Sequence, residues 1–141
     1  MLQRILGIDP GTRHMGIVVV EGQTLLSYGV HTLRNGERPH DVIGQAKRIV
    51  LGYVAKYGPR IVAIEKPLPI ATRRGALLNV IADELRERAR ELNLEVLELA
   101  PSEIRERVVG NPKATKIEVA EKLVALGFEA LRPMIPKKPK R

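Results

Sequence analysis

Two carboxylates, Asp9 and Glu65, each close a short apolar run. The first run is Arg4-Ile5-Leu6-Gly7-Ile8-Asp9-Pro10-Gly11-Thr12, and the second is Arg60-Ile61-Val62-Ala63-Ile64-Glu65-Lys66-Pro67. An acid at the end of a buried strand is costly unless it is paired or binds a cation. The chain carries 24 basic and 16 acidic residues, a formal net charge of +8. Two such acids in so basic a chain point to a divalent-metal site that works on phosphate. Asp9, on the more central strand, suits a bridging role between ions, and Glu65 would ligate from the side. Spacing alone leaves a second reading open, in which Glu65 pairs with an arginine at the sheet edge and Asp9 caps the turn after it.

Periodicity gives the elements that must position these acids. Residues 3–9 predict a strand, and Pro10-Gly11-Thr12 a turn. Gly16–Glu21 is β-branched and predicts a second strand, which Glu21-Gly22-Gln23 turns tightly into an antiparallel third over 24–33. The stretch from Asn35 to Pro39 is turn-like. From His40 the spacing becomes helical, with Ile43, Ala46, Val50, Val54 and Tyr57 on one face. His40 or Asp41 lies near its cap, and Gly58-Pro59 stops it. A fourth strand over 60–65, a loop through Pro67 and Pro69, a helix over 72–92 and a fifth strand over 94–99 follow. Ser102 is the expected N-cap of a short third helix, which Gly110-Asn111-Pro112 breaks. A fourth helix over 114–126 ends at Gly127.

This order predicts an α/β fold with a mixed five-stranded sheet, a three-strand antiparallel meander plus two parallel strands, flanked by helices. The first strand should lie parallel beside the fourth. Asp9 and Glu65 would then share neighbouring carboxyl ends, where open α/β sheets place their sites. Residues 1–130 are expected to form one domain, and 131–141 a basic, Pro-rich tail that is disordered or leads into a further helix. The helix over 72–92 carries Leu77, Leu78, Ile81 and Leu85 over more than one stripe. One side would cover the sheet and the other a partner, or the helix is sandwiched within the monomer.

The chain has no cysteine, which excludes disulfides and Cys-based zinc sites. Its apolar runs are too short to span a bilayer and it shows no signal peptide, so a cytoplasmic protein with no membrane partner is expected. Aromatic residues make up 3% of the chain, too few for base stacking to drive binding. Backbone charge should dominate a nucleic-acid interaction, and affinity should fall steeply with salt.

The segment Arg4 to Arg13, continuing to Gly16, resembles the first strand and turn of the RuvC family of Holliday junction resolvases. Val62-Ala63-Ile64-Glu65 is similar to that family's second acidic motif, and Arg74-Gly75-Ala76-Leu77-Leu78 to the start of its long helix. Leu99-Ala100-Pro101-Ser102-Glu103-Ile104-Arg105 and Val109-Gly110-Asn111-Pro112-Lys113-Ala114-Thr115-Lys116 resemble its later segments. The five matches are collinear and cover most of residues 3–122.

The resemblance implies an RNase H-like fold and an endonuclease that hydrolyses four-way DNA junctions as a homodimer, leaving a 5′-phosphate. It also implies Mg²⁺ or Mn²⁺, two ions per site. Asp9 and Glu65 match the first two members of an acidic tetrad. Arg105 and Lys116 match basic positions that hold DNA near the scissile phosphate, with Lys116 stabilising its charge. Arg13, Arg73, Arg74 and Lys113 are further expected DNA contacts, and Leu77, Leu78, Ile81 and Leu85 the dimer face. Arg73 and Arg74 could instead cap their helix, and Arg105 and Lys116 could line a solvated helix face.

Two departures stand out. The family completes its site with a C-terminal helix bearing an Asp pair, or His and Asp, whereas the last aspartate here is Asp83 and the one acid after Leu126 is Glu129. Either the sequence given stops before that helix, which is the expectation, or the chain binds without cutting. The loop Lys66 to Arg74 lacks an aromatic wedge, and Leu68 or Ile70 could serve instead or pack down. Asp9-Pro10-Gly11-Thr12 also resembles the phosphate loop of the actin, sugar-kinase and heat-shock ATPases, but those need two domains enclosing a nucleotide. A shorter family that processes ribosomal RNA shares the strand, and the Ala100-Pro101-Ser102 and Gly110 to Lys116 segments favour the resolvase side.

Overall fold

Apolar alternation builds the sheet. Leu6 and Ile8 of β1 (Arg4–Asp9), Met15, Ile17 and Val19 of β2 (His14–Glu21), and Val62 and Ile64 of β4 (Ile61–Glu65) are all buried on one face. The period of two is that of a pleated strand. β3 (Thr24–Thr32) and β5 (Glu95–Leu99) complete a five-stranded sheet of order β3-β2-β1-β4-β5. β1–β2 and β2–β3 are antiparallel, while β1–β4 and β4–β5 are parallel. The mixed sheet expected from the sequence is therefore the one observed. The computed structural model describes residues 2–34, 38–67 and 71–135, apart from the Met134 side chain. The turn expected at Asn35, the apolar wedge at Leu68 or Ile70 and the tail from Pro136 lie outside the described residues.

Two helices cover the apolar face. α1 (Pro39–Tyr57) buries Val42, Ala46 and Val50, and α2 (Arg73–Glu91) buries Ile81, Ala82, Leu85 and Ala89. Their apolar residues recur three or four apart, so each helix turns one stripe to the sheet. Pro39 occupies the first helical position of α1, where its missing N–H costs nothing. The Asp41 carboxylate accepts a hydrogen bond from the Arg38 N–H at 3.3 Å. At the far end the Gly58 N–H donates to the Val54 carbonyl.

The chain divides into two compact units, Met1–Leu99 and Ala100–Arg141. The second holds α3 (Pro101–Val109), α4 (Lys116–Ala125) and a 3₁₀ segment over Glu129–Met134. Ser102 is not the N-cap of α3. Ala100 holds that position and Pro101 the first helical one. Proline's fixed φ pre-forms the first turn, so the helix begins earlier than a capping hydroxyl would place it. Among the described residues no helix is long and apolar enough to cross a membrane.

Candidate active site

Asp9 closes β1 and is exposed, and Glu65 closes β4 and is half-buried. The two strands pair in parallel from Ile5–Ile61 to Ile8–Ile64, and the next step of that register sets Asp9 beside Glu65. Residues paired in register point to the same face, and neighbouring strands lie about 4.8 Å apart. Both carboxylates therefore project from the face opposite Leu6, Ile8, Val62 and Ile64. The strand end is held across β4 and β5 by the Lys66 N–H, which donates to the Leu99 carbonyl at 2.8 Å.

On the other flank of Asp9 stands Gly16 of β2. A Cβ there would lie 3.4 Å from the Asp9 Cβ and 4.0 Å from its Oδ2. Glycine thus leaves the side of the carboxylate open to a hydrated ion. Along the sequence Gly16 ends a motif and opens the predicted second strand; its place beside Asp9 comes from strand register. The turn between them depends on Gly11, where a Cβ would fall 1.8 Å from the His14 carbonyl oxygen. The Arg13 carbonyl accepts from the Leu33 N–H at 2.7 Å, which pins the same turn to the end of β3. Arg13 and His14 are exposed beside it. On β3 the His31 Nε2 lies 2.6 Å from the Tyr53 hydroxyl of α1.

Among the described residues no group of three or more His, Cys, Asp or Glu side chains is placed to hold a metal ion. Two neighbouring carboxylates with no cysteine suit a hard cation rather than zinc. Mg²⁺ commonly takes one or two carboxylates and completes its shell with water and substrate phosphate oxygens. The residues present therefore fit a divalent ion that a phosphodiester would help to bind.

Three of the basic residues, Arg73, Arg74 and Lys116, occupy helix starts. Arg73 and Arg74 are exposed in the first turn of α2, which contains no acid. The cap belongs to Thr72, whose hydroxyl accepts from the Gly75 N–H at 3.0 Å, so neither arginine performs it. Cations at a helix N-terminus oppose the macrodipole by about 0.3–1 kcal/mol each. Their position is thus unfavourable to the helix itself. In the second unit, Lys116 is exposed at the start of α4, after the N-cap Thr115, whose hydroxyl accepts from the Glu118 N–H at 3.1 Å. Lys113 is exposed, and Arg105 is half-buried on α3. On α2, Ile81 and Leu85 are consumed by the chain's own core and Leu77 packs against it, which leaves Leu78 half-buried and Val80 exposed.

A family model described as crossover junction endodeoxyribonuclease RuvC matches residues 5–130. A curated crossover junction endodeoxyribonuclease RuvC from Pelodictyon phaeoclathratiforme is 32% identical over 121 residues, 82% of this chain and 63% of that protein. Its counterpart from Chlorobium phaeobacteroides is 31% identical, over 82% of this chain and 65% of that one. The chain thus spans slightly less than two thirds of the length of either relative. Among solved structures, Thermus thermophilus RuvC in complex with a Holliday junction substrate superposes with a TM-score of 0.76 at 23% identity, over 99% of this chain and 84% of that one. The yeast mitochondrial Holliday junction resolvase does so at 0.61 and 13% identity, over 88% and 64%. These structures share the fold of this chain. With a sheet of the expected order and a family match across nearly its whole length, the chain belongs to the RuvC family of crossover junction endodeoxyribonucleases.

Proposed function

We propose that this chain is a divalent-metal-dependent endonuclease that cuts four-way DNA junctions as a homodimer. The observation that carries the reading is the parallel register of β1 and β4 as far as Ile8 and Ile64, whose next step would set Asp9 beside Glu65 on one face. They would hold Mg²⁺ or Mn²⁺, two ions per site, with Gly16 keeping the flank of Asp9 clear. Ions of this kind neutralise phosphate charge and favour deprotonation of an attacking water at neutral pH. The reaction is in-line hydrolysis: water adds to the phosphorus, the bond to the 3′ oxygen breaks, and a 3′ hydroxyl and a 5′ phosphate result.

The chain's own cations hold the strand. Arg13 beside the β1–β2 turn and Arg73 and Arg74 at the start of α2 contact phosphates in the first unit, and Arg105, Lys113 and Lys116 do so in the second. Each of the helix-start cations is disfavoured by its helix dipole, which supports a ligand as the compensating partner. Leu78 and Val80 on the outer side of α2 supply the dimer contact. A two-fold dimer suits a junction that must be cut symmetrically.

A second reading, binding without cleavage, draws on the same site, because two carboxylates are few ligands for two ions. Nicking of a labelled four-way junction in Mg²⁺, in Mn²⁺ and in chelator separates the two. Cuts that appear with metal and vanish in chelator support the nuclease; tight binding with no nick under any metal assigns the chain to the second reading. Lys116→Ala should weaken junction binding and reduce the slope of log K against log salt by about 0.9, the value of one phosphate contact. An unchanged slope would remove Lys116 from the interface.

A further inference from the structure

One face of α1 has a composition that neither the core nor the acid pair explains. His40, Gly44, Arg48, Gly52 and Lys56 follow one another at intervals of four, and so form a single i, i+4 row. Two hollows open along this row, of about 510 and 270 Å³. Arg34, His40 and Gly44 line the first, and Gly52, Lys56 and His31 the second, while Arg48 lines both. At a rise of 1.5 Å per residue the row extends about 24 Å along the helix.

Its cationic charge is not taken up by carboxylates among the described residues, although the Lys56 ammonium lies 5.3 Å from the centroid of the Tyr57 ring. Arg4, Lys47 and Arg86 are each paired with a carboxylate. Among the described residues, by contrast, no carboxylate forms an ion pair with Arg34, Arg48 or Lys56. Among the described residues the one acid lining either hollow is Asp41, which is occupied by the Arg38 N–H and by His40 at 3.6 Å. In the second hollow the Ser27 hydrogen bond, aided by the nearby Lys56 and Arg4, holds the Tyr57 phenol below its ordinary range.

The glycines point the same way. Glycine in a helix interior costs stability relative to alanine. A Cβ on Gly52 would meet nothing within 4 Å, and one on Gly44 only the far end of Arg48. Among the described residues nothing requires a missing side chain at either place. A ligand lying close against the helix backbone would.

The groove also begins at the right end of the sheet. The Arg34 backbone is clamped to α1 by Gln45, whose side-chain oxygen accepts from the Arg34 N–H and whose amide donates to the Arg34 carbonyl, both at 2.9 Å. Leu33, the neighbour of Arg34, bonds to Arg13, four residues beyond Asp9. The row then runs toward Tyr57, whose carbonyl accepts from Arg4 at the start of β1. It therefore leads from the carboxylate end of β1 to the opposite end.

We propose that this row is a second DNA-binding surface, which holds the sugar-phosphate backbone of a duplex arm, with Arg34, Arg48 and Lys56 as its phosphate contacts. The choice of DNA rests on the nuclease reading above. Arg48 and Lys56 stand about 12 Å apart along the helix, the axial span of three to four base pairs.

The test is binding of a plain 25-base-pair duplex in chelator across a salt series, which requires no cleavage and so is read even where the nuclease reading fails. Arg48→Ala/Lys56→Ala should lower the slope of log K against log salt by about 1.8. A control pair on α2, Arg88→Ala/Arg90→Ala, should lower it by less than 0.5. Gly52→Gln should keep or raise the melting temperature, because the space above it is open, yet weaken duplex binding at least fivefold. Equal slopes for the two double variants, unchanged affinity in Gly52→Gln, or no duplex binding by the parent chain each overturn the proposal.

Discussion

Asp9→Asn is expected to lower the rate of junction nicking about 10²- to 10³-fold while leaving junction affinity within a few-fold of the parent, or slightly tighter. The magnitude follows from what is lost. Removing one preorganised electrostatic partner of a reacting centre commonly costs two to three orders of magnitude. Here the lost charge is one of two carboxylates at the end of β1 and β4. Asparagine keeps the size and the position beside Gly16 but cannot offset the charge of a divalent ion. Binding should survive because an anion facing a phosphate backbone repels it, so its neutralisation removes a repulsion. The two halves of the expectation are measured on one substrate, nicking in Mg²⁺ and gel-shift in chelator. A variant that still cuts at a tenth of the parent rate would falsify the role given to Asp9.

Gly11→Ala is expected to destabilise the chain by about 1–3 kcal/mol, the range of overpacking. The added Cβ would stand 1.8 Å from the His14 carbonyl oxygen, which is backbone and cannot turn aside as a side chain would. The β1–β2 turn must then open. That movement would disturb the contact from Leu33 to Arg13 and the pairing of Asp9 with Gly16, so surviving folded protein should also cut poorly. Gly29→Ala is the control, since a Cβ there meets nothing within 4 Å. It should change stability by less than about 1 kcal/mol, and then in either direction. Urea unfolding followed by circular dichroism reads both variants. A Gly11→Ala midpoint equal to that of the parent would show that the turn relaxes without cost.

Helix starts show where reading along the chain meets its limit. Ser102 has a good capping side chain, yet α3 starts before it because Pro101 already has the helical φ. Arg73 and Arg74 could be caps by position, but Thr72 one residue earlier offers an oxygen acceptor, which the N–H groups of a helix start require and a guanidinium cannot supply. On α2 the sequence places Leu77, Leu78, Ile81 and Leu85 together as apolar. Packing on the sheet separates them, burying Ile81 and Leu85 fully and leaving outward surface at Leu78 and Val80. Spacing defines a stripe, whereas only a partner surface defines which edge of the stripe is consumed.

The strands, the antiparallel meander and the position of both acids at strand ends were legible in the residues alone, because pleat alternation and turn chemistry are local properties written at short range. The adjacency of Gly16 to Asp9, the tight turn at Gly11 and the row along α1 whose Arg48 and Lys56 meet no carboxylate among the described residues became visible only with the tertiary structure. These relations join residues on different strands or successive helical turns through register and packing, and no local propensity encodes them.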